Sequence, residues 1–218
     1  MKKKLAISAQ ERNREIARQN RELFKTNGIV TINIIGSPGC GKTSILEYMA
    51  DHFKGKFAVI VGDVKTALDS DRLLKKGHPY AYPIETGGGC HLTPTMIAER
   101  IRQIDFSGIQ YLFVENVGNL VCPSSFDLGE DLKLAVLSVP EGDEKVRKYP
   151  SLFLRAKAVM INKVDLLDVM EYNIEQVKKD CMVHNQEMAI FEVSAKTGAG
   201  LDEWFHYLYK LKDSKKKI

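Results

Sequence analysis

Gly36-Ser37-Pro38-Gly39-Cys40-Gly41-Lys42-Thr43 is the stretch that most constrains what this chain can fold into. An apolar run over residues 29–35 leads into it, and the helix-like run that opens Ser44-Ile45-Leu46 leads out. Strand, glycine loop and helix in that order turn the pattern G-x-x-x-x-G-K-[ST] into a phosphate site. Glycines let the backbone wrap so that several N–H groups face one anion, and the helix N-terminus adds its positive end. Gly36, Gly39, Cys40, Gly41, Lys42, Thr43 and Ser44 form the expected cradle. Lys42 can reach the β- and γ-phosphates, and the Thr43 hydroxyl can sit on Mg²⁺. A chance Lys-Thr after a glycine-rich turn is the bland alternative, and the flanking strand and helix argue against it.

Apolar, β-rich runs recur along the chain, at residues 29–35, 57–62, 80–84, 111–115, 134–139, 158–161 and 190–193. Helical patterns fall between most of them, at 43–54, 69–76, 94–104, 169–184 and 201–212. Continuous apolar strands alternating with helices predict an α/β fold: one P-loop NTPase domain, its mainly parallel sheet of about seven strands covered by helices on both faces. Pro79 and Pro83 bracket the 80–84 run and make it the weakest strand signal; an edge position would accommodate them. Residues 1–28 read as a basic tail and a polar helix over 8–27, with Ser8 and Glu11 at capping-box spacing. The domain is expected over 29–212, with a Lys-rich tail at 213–218.

In open α/β sheets ligands gather beyond the carboxyl ends of the strands. Here those positions carry the phosphate loop, Asp63, Gly87-Gly88-Gly89-Cys90-His91, Glu115-Asn116, Asn162-Lys163-Val164-Asp165 and Ser194-Ala195-Lys196. Asn162-Lys163-Val164-Asp165 matches N-K-x-D. The Asp165 carboxylate can accept from guanine N1–H and its amino group together, whereas adenine offers no such donor pair. The Lys163 stem can lie along the base, Asn162 can tie the loops together, and a backbone N–H of Ser194-Ala195-Lys196 can donate to guanine O6. The alternative, Asp165 as a helix cap with a solvated Lys163, leaves the pairing of the two motifs unexplained. The nucleotide is therefore read as GTP or GDP. Thr43 is the expected Mg²⁺ ligand; Asp63 and Glu115 can bind the ion directly or through its waters, and with Lys42 they form the candidate catalytic set. Asp69 either belongs to the same loop as Asp63 or is the N-cap of a helix over 70–76.

Charge adds little. The net +4 comes from the ends: Lys2, Lys3 and Lys4 contribute +3 and residues 209–218 contribute +4, so the body carries −3. With no interleaving of aromatic and basic residues, nucleic acid is not an expected partner. No run approaches the ~20 apolar residues of a membrane span, and no signal-peptide core is present, so a cytoplasmic location is expected. Cys40, Cys90, Cys122 and Cys181 do not have the spacing of a disulfide framework. Thiolate and imidazole at Cys90 and His91 suit Zn²⁺ or Ni²⁺, although a buried thiol beside a solvated imidazole is the commoner fate of such a pair. Cys40 and Cys181 read as packing residues, His184 as a helix-end cation, and His52, His78 and His206 as surface.

Glu115-Asn116-Val117-Gly118-Asn119-Leu120-Val121-Cys122-Pro123 resembles the signature of the HypB-type hydrogenase nickel-incorporation GTPases. So do Gly62-Asp63-Val64, the segment Thr86 to Leu92, Phe126-Asp127-Leu128-Gly129, Glu141-Gly142-Asp143 and Lys148-Tyr149-Pro150. The similarity covers nearly all of the chain after about residue 10. Urease accessory GTPases are related but carry Cys-Pro-His where this chain has Cys90-His91. The resemblance implies slow, Mg²⁺-dependent GTP hydrolysis and a homodimer that forms on GTP binding. It also implies Ni²⁺ or Zn²⁺ on Cys90, His91 and Cys122 at the dimer interface. A HypA-type nickel metallochaperone is the implied partner and the large subunit of a nickel–iron hydrogenase the implied client. Two departures stand out. The first 39 residues hold neither the cysteine cluster nor the His-rich stretch that many relatives carry, and Leu92-Thr93-Pro94 replaces Leu-Asp-Ala. Thr93 can still cap the next helix with Pro94 at its first position. An accessory GTPase for another nickel enzyme, or a regulatory switch holding structural zinc, remains open.

Overall fold

The structure, a computed structural model, describes residues 8–63 and 80–215. The expected helix at 69–76, with Asp69 and His78, lies outside the described residues.

Seven strands form one sheet: β1 (Val30–Gly36), β2 (Phe57–Asp63), β3 (Ala81–Glu85), β4 (Tyr111–Glu115), β5 (Leu132–Ser138), β6 (Ala158–Asn162) and β7 (Ala189–Glu192). Their order is β3-β2-β4-β1-β5-β6-β7, and every pairing is parallel. All carboxyl ends therefore meet along one rim, with β1 near the middle. β3 lies at the edge, where Pro83 forfeits no ladder bond on its free side.

Side-chain alternation along β1 sorts the core. Val30, Ile32 and Ile34 face a layer made by α2 (Lys42–Phe53) and the C-terminal helix, whose Met49, Phe53, Trp204 and Leu208 are buried with them. Ile29 and Ile35 join the layers on the opposite face. There α1 (Ala9–Thr26) and α3 (Pro94–Ile101) pack together, and α4 (Lys145–Lys148), α5 (Pro150–Phe153) and α6 (Ile174–His184) follow. α7 (Leu201–Lys215) is the last of the described helices.

Local signals explain the helix starts. Ser8 and Glu11 form the reciprocal capping box, with N–H to oxygen distances of 2.8 and 3.1 Å. Thr93 Oγ1 accepts from Met96 N at 3.3 Å, with Pro94 in the first turn. α6 begins later than the expected residue 169, because Asn173 Oδ1 accepts from Gln176 N and starts the helix there. α4 and α5 are too short to show periodicity, and sequence reading passed over them. α7 runs past the expected boundary at 212: Lys212 and Lys215 donate to the carbonyls of Gly28 and Ile29, and Lys215 pairs with Asp131 at 2.6 Å. These lysines hold the C-terminal helix to the start of β1 and are not a solvated tail.

α1 does more than cover the sheet. Its buried face is Ala17, Asn20 and Phe24. Asn20 Nδ2 donates to Pro94 O (3.0 Å) and Leu128 O (3.1 Å), and Arg21 pairs with Asp127 at 2.7 Å. No described helix is long and apolar enough to cross a membrane.

Candidate functional site

The phosphate loop leaves β1 at Gly36 and enters α2 at Lys42. Lys42 is 6% exposed, and its ammonium donates to the carbonyls of Gly36 and Ser37, both at 3.2 Å. It thus lies folded over the loop's concave side, where a phosphate would replace those carbonyls as its partner. Thr43 Oγ1 donates to Glu115 Oε1 at 2.8 Å. Hydroxyl and carboxylate oxygens meeting at the loop are the hard donors Mg²⁺ takes, so these two residues fit the ion. Asp63 ends β2 two strands from the loop; its side chain is not among those described. The Cys40 thiol is fully buried, and burial pushes its pKa up to about 11.

The residues expected to recognise the base lie together, through a tie that spacing could not show. Asn162 Nδ2 donates to Cys40 O (2.9 Å) while its Oδ1 accepts from Ala195 N (3.1 Å). One buried amide therefore joins phosphate loop, β6 end and β7 end. Gly41, at φ +99°, must lack a side chain: a Cβ would sit 2.2 Å from Asn162 Nδ2. Lys163, at φ +64°, reaches Gly39 O at 2.7 Å. Asp165 accepts from Ser194 Oγ at 2.6 Å, which orients its carboxylate. A cavity of about 430 Å³ opens beside them, lined by Ser44, Tyr48, Lys163, Asp165, Ala195 and Lys196 among others. Glu47 and Asp51 also line it, and with Tyr48 they were missed. Their spacing from Ser44 places all four on one face of α2, a signal the sequence did carry.

Further along the rim, ligand atoms of Cys90, His91 and Cys122 all lie within 4.8 Å of one another. Cys90 Sγ is 3.5 Å from His91 Nδ1. Cys122 opens a short 3₁₀ turn, Cys122–Ser125, seven residues after Glu115. Two thiols and an imidazole at this separation need only a small inward adjustment to hold Zn²⁺ or Ni²⁺, with a fourth position left over. Partial burial lowers the His91 pKa, which keeps the imidazole in its neutral, ligating form. The Cys90 thiol is pushed up, first by its hydrogen bond with Cys122. Phe126 stacks on the His91 ring, with centroids 3.9 Å apart. Sequence reading used Phe126 as a motif letter and assigned it no contact.

The two halves of the rim touch. A Cβ at Gly118 would lie 2.8 Å from Pro38 Cγ, so the segment joining Glu115 to Cys122 rests directly on the phosphate loop. Asn119 Nδ2 reaches Cys90 O at 3.5 Å, linking the two cysteine loops. His52, His184 and His206 stay outside this cluster. His206 bonds within its own helix. His52 is exposed as expected yet has partners after all, stacking on Phe205 at 3.7 Å and meeting Tyr209 OH at 2.7 Å. Cys181 is fully buried, and burial raises its pKa to about 12.

Comparison with known proteins agrees with this arrangement. Residues 30–192 match the family described as CobW/HypB/UreG, nucleotide-binding domain. The hydrogenase/urease maturation factor HypB of Helicobacter pylori strain J99 is 42% identical over 200 residues, covering 90% of this chain and 82% of that protein. The hydrogenase maturation factor HypB of Escherichia coli K12 is 41% identical over 204 residues, covering 93% and 70%. The crystal structure of Helicobacter pylori HypB in complex with nickel superposes with a TM-score of 0.88 at 40% identity, covering 93% of this chain and 96% of that one.

Proposed function

The chain belongs to the CobW/HypB/UreG nucleotide-binding family and within it to the HypB maturation factors, and from that premise we propose that it is a GTP-hydrolysing nickel metallochaperone. Asp165, oriented by Ser194, selects guanine; Lys163 flanks the base and Lys196 closes the cavity. Lys42 and the backbone of residues 36–44 hold the phosphates. Thr43, with Asp63 and Glu115, holds Mg²⁺, which supplies charge neutralisation at the transferring phosphoryl group. Lys42 and the oriented N–H groups stabilise the same developing charge. Nickel is cargo: it binds Cys90, His91 and Cys122, with Zn²⁺ as the competing ion. The fourth position is filled across a two-fold axis when GTP brings two copies together. A HypA-type metallochaperone is the proposed exchange partner and a nickel–iron hydrogenase large subunit the proposed client.

One observation carries this reading: the Cys90–His91–Cys122 cluster and the phosphate loop lie on one rim, joined by the segment that packs Gly118 against Pro38. The test is nickel titration of the purified chain with GDP and with a non-hydrolysable GTP analogue, paired with size-exclusion chromatography. Nickel affinity should depend on the nucleotide, and the analogue should produce a dimer. A metal indifferent to nucleotide state would instead make the site a structural zinc holding a regulatory switch together. Equal affinity for ATP and GTP would remove the guanine assignment.

A further inference from the structure

A chain of buried polar side chains runs beneath the metal cluster, and nothing in the nucleotide chemistry above uses it. It begins at Leu92, next to His91, whose N–H donates to Asn116 Oδ1 at 3.0 Å. Asn116 Nδ2 donates to Asn33 Oδ1 (3.1 Å), and Asn33 Nδ2 donates to Glu130 Oε1 (3.3 Å). The Lys133 ammonium stands 3.4 Å from that same oxygen and donates to the carbonyls of Ser124 (3.0 Å) and Phe126 (2.8 Å). The chain thus starts one residue beyond one metal ligand and ends two residues beyond another. Through Phe126 it also reaches the ring that stacks on His91. Asn33, Asn116 and Lys133 are 0, 1 and 8% exposed. Burying two amides and an ammonium is unfavourable unless each is satisfied. Apolar residues would fill β1 and β5 at lower cost, so these groups are best explained by what they hold. What they hold is two loops with little packing of their own: Cys90 and Val121 are exposed and Cys122 is half-buried.

We propose that Asn116, Asn33 and the Glu130–Lys133 pair are positioning residues for the metal cluster. They hold the Cys90–His91 loop and the Cys122 loop at ligand spacing and reference both to β4, the strand that ends in Glu115. This inference rests on the metal reading above.

The test titrates Ni²⁺ into the wild-type chain and into Lys133→Met, Asn116→Ala and Cys122→Ser, following the thiolate-to-nickel charge-transfer absorption. Affinity for a fluorescent GDP analogue and the melting temperature are measured alongside. Lys133→Met acts at the end of the chain remote from the phosphate loop. It should weaken nickel binding by roughly 10–100-fold, the range for outer-shell partners of metal ligands. It should also shift the absorption band and leave GDP affinity unchanged. Asn116→Ala should lower nickel affinity similarly. Lys133→Gln, which retains a donor of shorter reach, serves if Lys133→Met does not fold. If Cys122→Ser loses nickel while folded Lys133→Met keeps wild-type affinity and spectrum, the positioning inference is overturned and the metal reading stands. If Cys122→Ser keeps nickel, both fall. Parallel losses of nickel affinity, GDP affinity and melting temperature would mark general destabilisation and also overturn it.

Discussion

Asn162→Ala tests the guanine site most directly, because the structure fixes what is lost. Asn162 is 1% exposed and makes two hydrogen bonds, to Cys40 O at 2.9 Å and from Ala195 N at 3.1 Å. Each is worth about 1 kcal/mol net, and a buried group left without a partner adds about 1 kcal/mol or more. The expected loss is therefore about 2–4 kcal/mol. A domain of this size shifts by about 2–4 °C per kcal/mol, so melting should fall by about 4–16 °C. The amide ties the phosphate loop to the base loop, so a protein that lacks it must order the two loops when a nucleotide binds. If half of the larger figure reappears as lost preorganisation, GDP binds about 30-fold more weakly. Scanning fluorimetry and titration of a fluorescent GDP analogue measure the two effects. Gly41→Ala provides a second route to the same lesion: its Cβ would meet Asn162 Nδ2 at 2.2 Å, so it should lower both quantities without deleting the amide. An Asn162→Ala protein with unchanged melting and GDP affinity would refute the tie. A fall in melting alone would reduce Asn162 to a structural residue.

Nickel binding should strengthen with pH. His91 is already neutral near pH 7 because burial lowers its pKa, whereas the Cys90 thiol is held protonated by its bond to Cys122 and must release that proton to the metal. Competition titrations between about pH 6.5 and 8 should show a gain of about tenfold per unit for each proton released; a flat profile would contradict the thiolate ligand. Iodoacetamide should modify Cys90 and Cys122 in the native chain, and nickel should protect them. Cys40 and Cys181, whose thiols burial pushes up to about 11 and about 12, should react only on unfolding, as read by peptide mass spectrometry. Asn20→Ala removes two buried bonds from α1 to the carbonyls of Pro94 and Leu128; urea unfolding should show a loss of about 2 kcal/mol.

Much of this was legible in the sequence because it is local or periodic. The phosphate loop, the strand runs, the Ser8–Glu11 box and the Thr93 cap each sit within a few residues of what they control. The rim was legible too, since parallel strands put every strand end on one side. Contacts between distant segments were not. The Lys133 interaction depends on a lysine inside β5, one residue before the apolar run that marks that strand in the sequence. Asn33 stood in plain view as the polar residue in an apolar run, a pattern that asks for a buried partner. Its partner is 83 residues away in Asn116, and spacing cannot supply that link. The acceptors of Lys212 and Lys215 are as distant in sequence, at Gly28, Ile29 and Asp131.

The coupling between nucleotide and metal proposed above would need no large rearrangement. Glu115 meets Thr43 at the phosphate loop, and the next residue, Asn116, holds the backbone beside His91. A nucleotide shifts the metal site only through interactions that differ between its two states. A tenfold change in nickel affinity corresponds to about 1.4 kcal/mol, comparable to one hydrogen bond made or lost. The Leu92–Asn116 bond alone is large enough, if γ-phosphate contacts at Glu115 alter it. Linkage then demands reciprocity: whatever factor GTP imposes on nickel affinity, nickel must impose on GTP affinity. Measuring a GTP analogue and GDP with and without Ni²⁺ checks this. In Asn116→Ala the two factors should shrink together while each ligand still binds. If nickel affinity kept its full nucleotide dependence in that variant, the signal would run through another path, the 116–122 segment on Pro38 being the next candidate.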